Sequence, residues 1–289
     1  MKNVYFTLII SLFVILISCE KEIEFKGDSV QDLIVVNGVL EKDSVIQISL
    51  SVTKPSMGPD YFGQNQYLKS PANLILTDNT TGETFMSTMN SLSYYSFGTT
   101  AKSDHSYSIN ISHPDYLTAS ATTSIPQGVS IIDWDTSTIN VSDYSSEKKL
   151  NLSWMDTGEE NFYFVELFSI DTVYNQKNLL YIYSYKINEG TMNDGSSMLI
   201  LKDDLFNNSL CQLSIKFNPD YYYDQNWVKL DEKSYKVVLH KVSKEVYNYY
   251  KSVSKINIGP FSEPVKVYTN ILNGLGVFGG KSSTTLFFE

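Results

Sequence analysis

The segment Val45-Ile46-Gln47-Ile48-Ser49-Leu50-Ser51-Val52-Thr53 alternates strictly, with Ile46, Ile48, Leu50 and Val52 separated by polar residues. A period of two puts the apolar set on one side of an extended chain and the polar set on the other, which describes a half-buried strand. The pattern recurs. Short β-branched or aromatic segments at 33–40, 45–53, 73–77, 83–87, 94–97, 106–112 and 117–125 are separated by turn residues at the spacing of an all-β sandwich. Glu41-Lys42-Asp43-Ser44 closes a hairpin between the first two, and Asn79-Thr80-Thr81-Gly82 supplies a turn in the middle. About seven strands in this space predict an immunoglobulin-like or transthyretin-like β-sandwich over residues 33–126.

Pro126 cannot donate to a ladder and Gly128 loosens the chain, so a boundary is placed there. Residues 127–289 read as a second β-rich domain, with strands at 129–134, 149–154, 161–170, 179–187, 198–202, 210–217 and 235–242. Leu152-Ser153-Trp154, a turn and Tyr163-Phe164-Val165-Glu166-Leu167 look like the start of a fibronectin type III repeat. One helix is predicted near 243–256, where Val246, Tyr249, Tyr250 and Val253 recur at helical spacing and Ser243 can cap the amino end. Beyond it Val265, Val267 and Tyr268 read as a strand, and Gly274 and Gly276 as turns with positive φ. Cys211 is expected on the polar side of a strand whose apolar face is Leu213, Ile215 and Phe217.

The amino end carries an address. Lys2 precedes an apolar run from Val4 to Ile17, broken only by Thr7 and Ser11. Those 14 residues are fewer than the roughly 20 that span a hydrocarbon core, so the run reads as the h-region of a signal peptide over 1–18. Leu16-Ile17-Ser18-Cys19 resembles the lipobox of bacterial lipoproteins. There the Cys19 thiol takes a diacylglyceryl thioether and its freed amino group is acylated, and several chains together anchor a protein stably in a membrane. Residues 19–32 then form an acylated cysteine and linker, with Glu20-Lys21-Glu22-Ile23-Glu24 resembling an acidic tract that directs lipoproteins to the outer face of the outer membrane. Once Cys19 is lipidated only Cys211 remains, so no intramolecular disulfide forms.

Net charge is −10 and none of the 22 basic residues is Arg, which argues against a nucleic-acid surface and excludes phosphate recognition by guanidinium forks. His105, His113 and His240 stand far apart without metal-ligand spacing, so no metal or cofactor is expected. No Gly-x-Ser-x-Gly elbow is present, and the glycines at 274, 276, 279 and 280 do not open a helix within a βαβ unit. Asp203-Asp204 and Glu159-Glu160 read as solvated turn acids. Aromatic side chains remain. Tyr221, Tyr222, Tyr223 and Trp227 share the loop 218–227 with acids and amides, a mixture suited to stacking on a small ligand or anchoring a protein partner. Tyr61, Phe62 and Tyr67, in a long loop over 55–71, are a weaker candidate of the same kind.

The tail segments Gly259-Pro260-Phe261-Ser262-Glu263-Pro264 and Asn270-Ile271-Leu272-Asn273-Gly274-Leu275-Gly276-Val277-Phe278-Gly279-Gly280 resemble an uncharacterised lipoprotein family, domain of unknown function 4249. Val35-Val36-Asn37-Gly38 and His113-Pro114-Asp115-Tyr116-Leu117 add to that resemblance through the rest of the mature chain. It implies a β-rich outer-membrane lipoprotein that often accompanies a TonB-dependent receptor, with no established reaction and no catalytic residue to carry over, and the first expectation is a non-enzymatic accessory to such a receptor. A surface adhesive or matrix protein is the alternative, and an extracytoplasmic hydrolase ranks third. Asp28-Ser29-Val30, Asp43-Ser44-Val45 and Asp171-Thr172-Val173 resemble a bacterial O-glycosylation triplet, of which chance supplies about one in such a chain.

Overall fold

A computed structural model describes residues 32–53, 67–91, 93–142, 145–223, 229–256 and 265–289. The alternating segments there form strands. The first group is β1 Ile34–Glu41, β2 Val45–Val52, β3 Asn73–Asp78, β4 Thr84–Met86, β5 Thr88–Ser91, β6 Tyr94–Thr100, β7 Ser106–His113 and β8 Tyr116–Ser124. The second opens with β9 Ile131–Ser142, β10 Ser145–Met155, β11 Phe162–Asp171, β12 Gln176–Leu179, β13 Ile182–Ile187, β14 Asn193–Ser196 and β15 Met198–Lys202. After a short 3-10 turn it continues with β16 Leu210–Phe217, β17 Tyr221–Tyr223, β18 Lys229–Glu232 and β19 Ser234–Val242. The helix Lys244–Val253 and β20 Gly274–Phe288 complete the order. The chain is mainly β, in an open sandwich-like arrangement of several sheets with one helix among the described residues. β5 and β12 escaped the alternation reading because every residue in them is exposed, which leaves no apolar period to detect.

A nine-stranded sheet carries the architecture, in the order β12-β11-β19-β20-β1-β2-β6-β5, with β15 sharing the β12 edge of β11. β20 is its spine. Its first half runs parallel to β1, from Ile34↔Gly274 to Glu41↔Lys281, and its second half antiparallel to β19, from Val242↔Lys281 to Tyr235↔Phe288. Residues on both sides of Pro126 therefore belong to one sheet.

Period two along β20 sorts its contacts. Phe278 enters a first core between this sheet and the four-stranded β4-β3-β7-β8 sheet, with Val36, Ile48, Leu74, Ile109 and Ile111. Phe288 and Leu286 reach a second core, where Tyr163, Val165, Tyr235 and Val237 meet Leu150, Trp154 and Leu213 of the five-stranded β14-β13-β16-β10-β9 sheet. All of these β20 residues are even-numbered, so both cores lie on one face. The odd-numbered Val277 faces the helix, in a third cluster with Phe162, Phe164, Val242 and Val246. Phe162 stacks on Tyr247 at 4.4 Å between ring centres, and Phe164 meets Tyr250 edge-on at 5.5 Å.

The tail departs from its sequence reading. Residues 265–271 form no strand, and 274–288 form a strand of 15 residues where turns were expected. The glycines there serve close approach instead. A Cβ on Gly279 would collide with Val246 of the helix, and one on Gly280 with the Ser124 carbonyl at the end of β8. Among the described tail glycines only Gly276 has a positive φ, at +97°. Ser243 sits at the helix amino end without a side-chain capping bond, because its hydroxyl accepts the Gly280 N–H at 3.2 Å.

Cys211 is also corrected. Residues 211, 213, 215 and 217 share parity, so Cys211 lies on the apolar face and is fully buried opposite Trp154. Burial pushes its thiol well above the ordinary cysteine range. A thiol reagent should leave Cys211 unlabelled in the native protein and reach it as the chain unfolds in denaturant. Cys211→Ser should cost about 1–3 kcal/mol, because it buries a hydroxyl among apolar side chains. Rapid labelling of the folded chain would refute this placement.

Candidate functional site

The aromatic loop is tied down from below. Asp220, directly before the tyrosines, acts as a hub: Oδ2 accepts from Ser169 Oγ at 2.6 Å and from Lys233 Nζ at 3.3 Å, while the Asp220 N–H donates to the Tyr235 hydroxyl at 3.0 Å. Beneath β18, the buried Lys148 pairs with Glu232 at 2.6 Å. Tyr221 and Tyr222 are half-buried in β17, which pairs with β18. The Tyr221 hydroxyl lies 3.2 Å from Ser146 Oγ. The Tyr222 hydroxyl accepts the Thr172 N–H at 2.9 Å, and Lys233 Nζ sits 5.4 Å from the centre of its ring. Two of the four predicted binding residues thus direct their hydroxyls to the rest of the fold, Tyr221 to β10 and Tyr222 to the turn after β11. Tyr223 pairs with Lys229 in the ladder, and Trp227 lies outside the described residues, as do Cys19, Tyr61 and Phe62.

Two triplets fall at strand ends: Asp43-Ser44-Val45 is exposed, while Asp171 is buried at the end of β11 and only Thr172 and Val173 are exposed. Asp43 has φ of 62° in the β1–β2 hairpin, and the Asp171 carboxylate accepts the N–H groups of Val173 and Tyr174, at 3.0 Å each. The Asp28 triplet lies outside the described residues.

Two polar constellations were not legible in sequence, because their members lie far apart along the chain. The first crosses four adjacent strands on the helix-facing side of the large sheet. His240 Nε2 meets Glu166 Oε2 at 3.0 Å and Nδ1 meets Ser283 Oγ at 2.7 Å, while Ser283 donates to Glu41 Oε1 at 2.6 Å and Lys281 pairs with Glu41 at 3.2 Å. Glu41, Glu166, His240 and Lys281 line a 360 Å³ recess together with Phe164, Met198 and Tyr250. The single hydroxyl proton of Ser283 is committed to a carboxylate, so His240 does not stand as its base.

The His240 contact holds the Glu166 carboxyl below its usual range, against burial that acts the other way. For Glu41, burial would raise the carboxyl, but Ser283 and Lys281 outweigh it and the net shift is also downward. A carboxyl depressed in the folded state contributes stability that is present above the unfolded value of 4.5 and is lost as pH falls through the folded value. His240→Leu should therefore start acid unfolding at a higher pH than in the wild type, measured by circular dichroism. An unchanged acid limb would rule out this role.

The second constellation is a 730 Å³ cleft between the start of β7, the end of β8, the turn before β11 and the start of the helix. Lys241 lies in its floor, with Ser106, Gln127, Thr157 and Asn161 around it. Asn161 Nδ2 is held by the Thr157 and Glu159 carbonyl oxygens at 2.8 and 2.7 Å, which fixes the turn that forms one wall. Of Asp203-Asp204, read as solvated turn acids, Asp203 departs from that reading: it is buried and accepts the Asn161 N–H at 2.6 Å, while the exposed Asp204 pairs with Lys202 at 2.6 Å. Among the described residues no group of three or more His, Cys, Asp or Glu side chains is placed to hold a metal ion.

A family model described as "domain of unknown function (DUF4249)" matches residues 20–286. The chain belongs to the DUF4249 family. The match takes in nearly all of this DUF4249 chain beyond Cys19, including the large sheet up to the last two residues of β20 and both polar constellations. No curated protein matches it. A solved structure described as a biofilm associated protein, BSP domain, is similar at 8% identity and a TM-score of 0.25, covering 89% of this chain. The DUF4249 chain spans 59% of the length of that structure.

Proposed function

We propose that this DUF4249 protein is a non-enzymatic lipoprotein, anchored in the outer membrane through acylated Cys19, that assists a TonB-dependent receptor by capturing a ligand or binding the receptor itself. One observation carries the reading. The lipobox-like Leu16-Ile17-Ser18-Cys19 ends where the family match begins, at residue 20, so the family's shared part coincides with the mature chain that cleavage before Cys19 would release. A folded β domain on a short acylated tether suits a role beside a membrane partner.

The test is affinity capture of the tagged full-length protein from detergent-solubilised membranes, with Cys19→Ala in parallel. The expected result is a β-barrel receptor enriched with the wild type, together with loss of fatty-acid labelling and of membrane retention in the variant. Fatty acid still entering Cys19→Ala would overturn the anchor. A labelled, membrane-bound protein that brings down no barrel would overturn the receptor role and turn attention to adhesion.

A further inference from the structure

Lysine is almost never buried without a carboxylate beside it, and this chain contains its own comparison. Lys148 is 6% exposed and has Glu232 at 2.6 Å, and Lys233 has Asp220 at 3.3 Å and Asp171 at 3.5 Å. Lys241 is 8% exposed, yet its Nζ donates only to the neutral Thr157 Oγ1 at 3.2 Å, and no described carboxylate lies within 4.0 Å of it. It sits on β19 in the parity of Tyr235, Val237 and Leu239, at the end of the second core, where an apolar side chain would be the stable choice. Burial pulls its ammonium below the usual lysine range, and Asp156, Glu159, Asp104 and Asp203 only partly offset that through their fields.

The surrounding cleft narrows the chemistry of a ligand. Asp104, Glu159, Glu160 and Glu245 outnumber Lys241 and Lys244 along its walls, which disfavours an anion. Carboxylates, amides and hydroxyls together accept from and donate to a neutral polyhydroxylated molecule, and the 730 Å³ volume lies within the range of small-molecule sites. An unpaired, desolvated amine at the floor adds a nucleophile.

We propose that this cleft takes a small hydroxylated aldehyde, such as an open-chain sugar, and that Lys241 Nζ condenses with its carbonyl. The nitrogen lone pair forms the C–N bond and the carbonyl oxygen takes a proton, giving a carbinolamine. Loss of that hydroxyl as water, with one proton leaving nitrogen, yields the imine, and nothing is oxidised or reduced. The linkage is reversible, as suits capture.

The test treats the full-length chain at neutral pH with glyceraldehyde and cyanoborohydride, which reduces any imine to a stable amine, and maps labelled lysines by mass spectrometry. Lys241 should be labelled severalfold faster than the exposed Lys42 and Lys69, and the preference should vanish in urea. Propanal, which lacks the hydroxyls, should label Lys241 more slowly than glyceraldehyde. Labelling of Lys241 no faster than that of Lys42 would overturn the nucleophile, leaving Lys241 as a polar stop at the end of the core. Equal rates for the two aldehydes would overturn recognition of the hydroxyls.

Discussion

Gly276→Ala should unfold the protein at a much lower denaturant concentration than the wild type, with a loss of about 3 kcal/mol or more. Two costs add. Gly276 has φ of +97°, a conformation that an L side chain adopts only under strain, and a Cβ built there runs into the backbone carbonyl of Val36 on the paired strand β1. Neither a rotamer change nor a shift of a flexible side chain relieves a collision with backbone. Separating β20 from β1 would disturb the parallel ladder that begins at Ile34↔Gly274. Gly82 is the control. Its φ is +79° but a Cβ there meets nothing within 4 Å, so Gly82→Ala should cost only about 1 kcal/mol, from the backbone term alone. Equal midpoints for the two variants would show that the β1–β20 contact is not what makes Gly276 necessary.

Trp154→Ala should cost about 3–5 kcal/mol, the range for a large aromatic deleted from a packed core. Trp154 is fully buried, with the rings of Tyr163 and Phe206 at 5.4 and 5.8 Å and Cys211 opposite it on β16. Trp134, on the neighbouring strand β9, is 42% exposed and touches the end of β20 through Phe288 at 6.1 Å. Trp134→Ala should cost less, about 1–2 kcal/mol, since 42% of the residue is already exposed. Chemical denaturation of both variants decides the matter, and a Trp134 loss as large as that of Trp154 would mean that the open face of β9 is covered in the native protein.

Much of the fold was legible because a half-buried strand writes its orientation into the sequence. Ile46, Ile48, Leu50 and Val52 all face the first core, and Tyr163, Val165 and Leu167 face the second while Phe162 and Phe164 turn to the helix. Val246 and Tyr250, one turn apart, set the helix on that third cluster. The candidate loop was legible as composition but not as geometry. Three consecutive tyrosines cannot reveal that Tyr222 is spent on Thr172, a residue 50 positions away.

What the sequence determined by itself was therefore local: strand periods and the helix. Tertiary structure decided which distant segments meet. Glycine in sequence signals a turn as readily as a close approach, and only the positions of Val246, Ser124 and Val36 around residues 276–280 show that β20 needs room on both faces and at its edge. The same holds for chemistry. Glu41, Glu166, His240 and Ser283 became neighbours because four strands from distant parts of the chain lie side by side. Lys241 became a buried amine without an ion pair because Thr157 offers it only a neutral hydroxyl while the described acids stay beyond ion-pair distance. Hydrogen bonds and desolvation act over a few ångströms of space, and separation along the chain carries no measure of that distance.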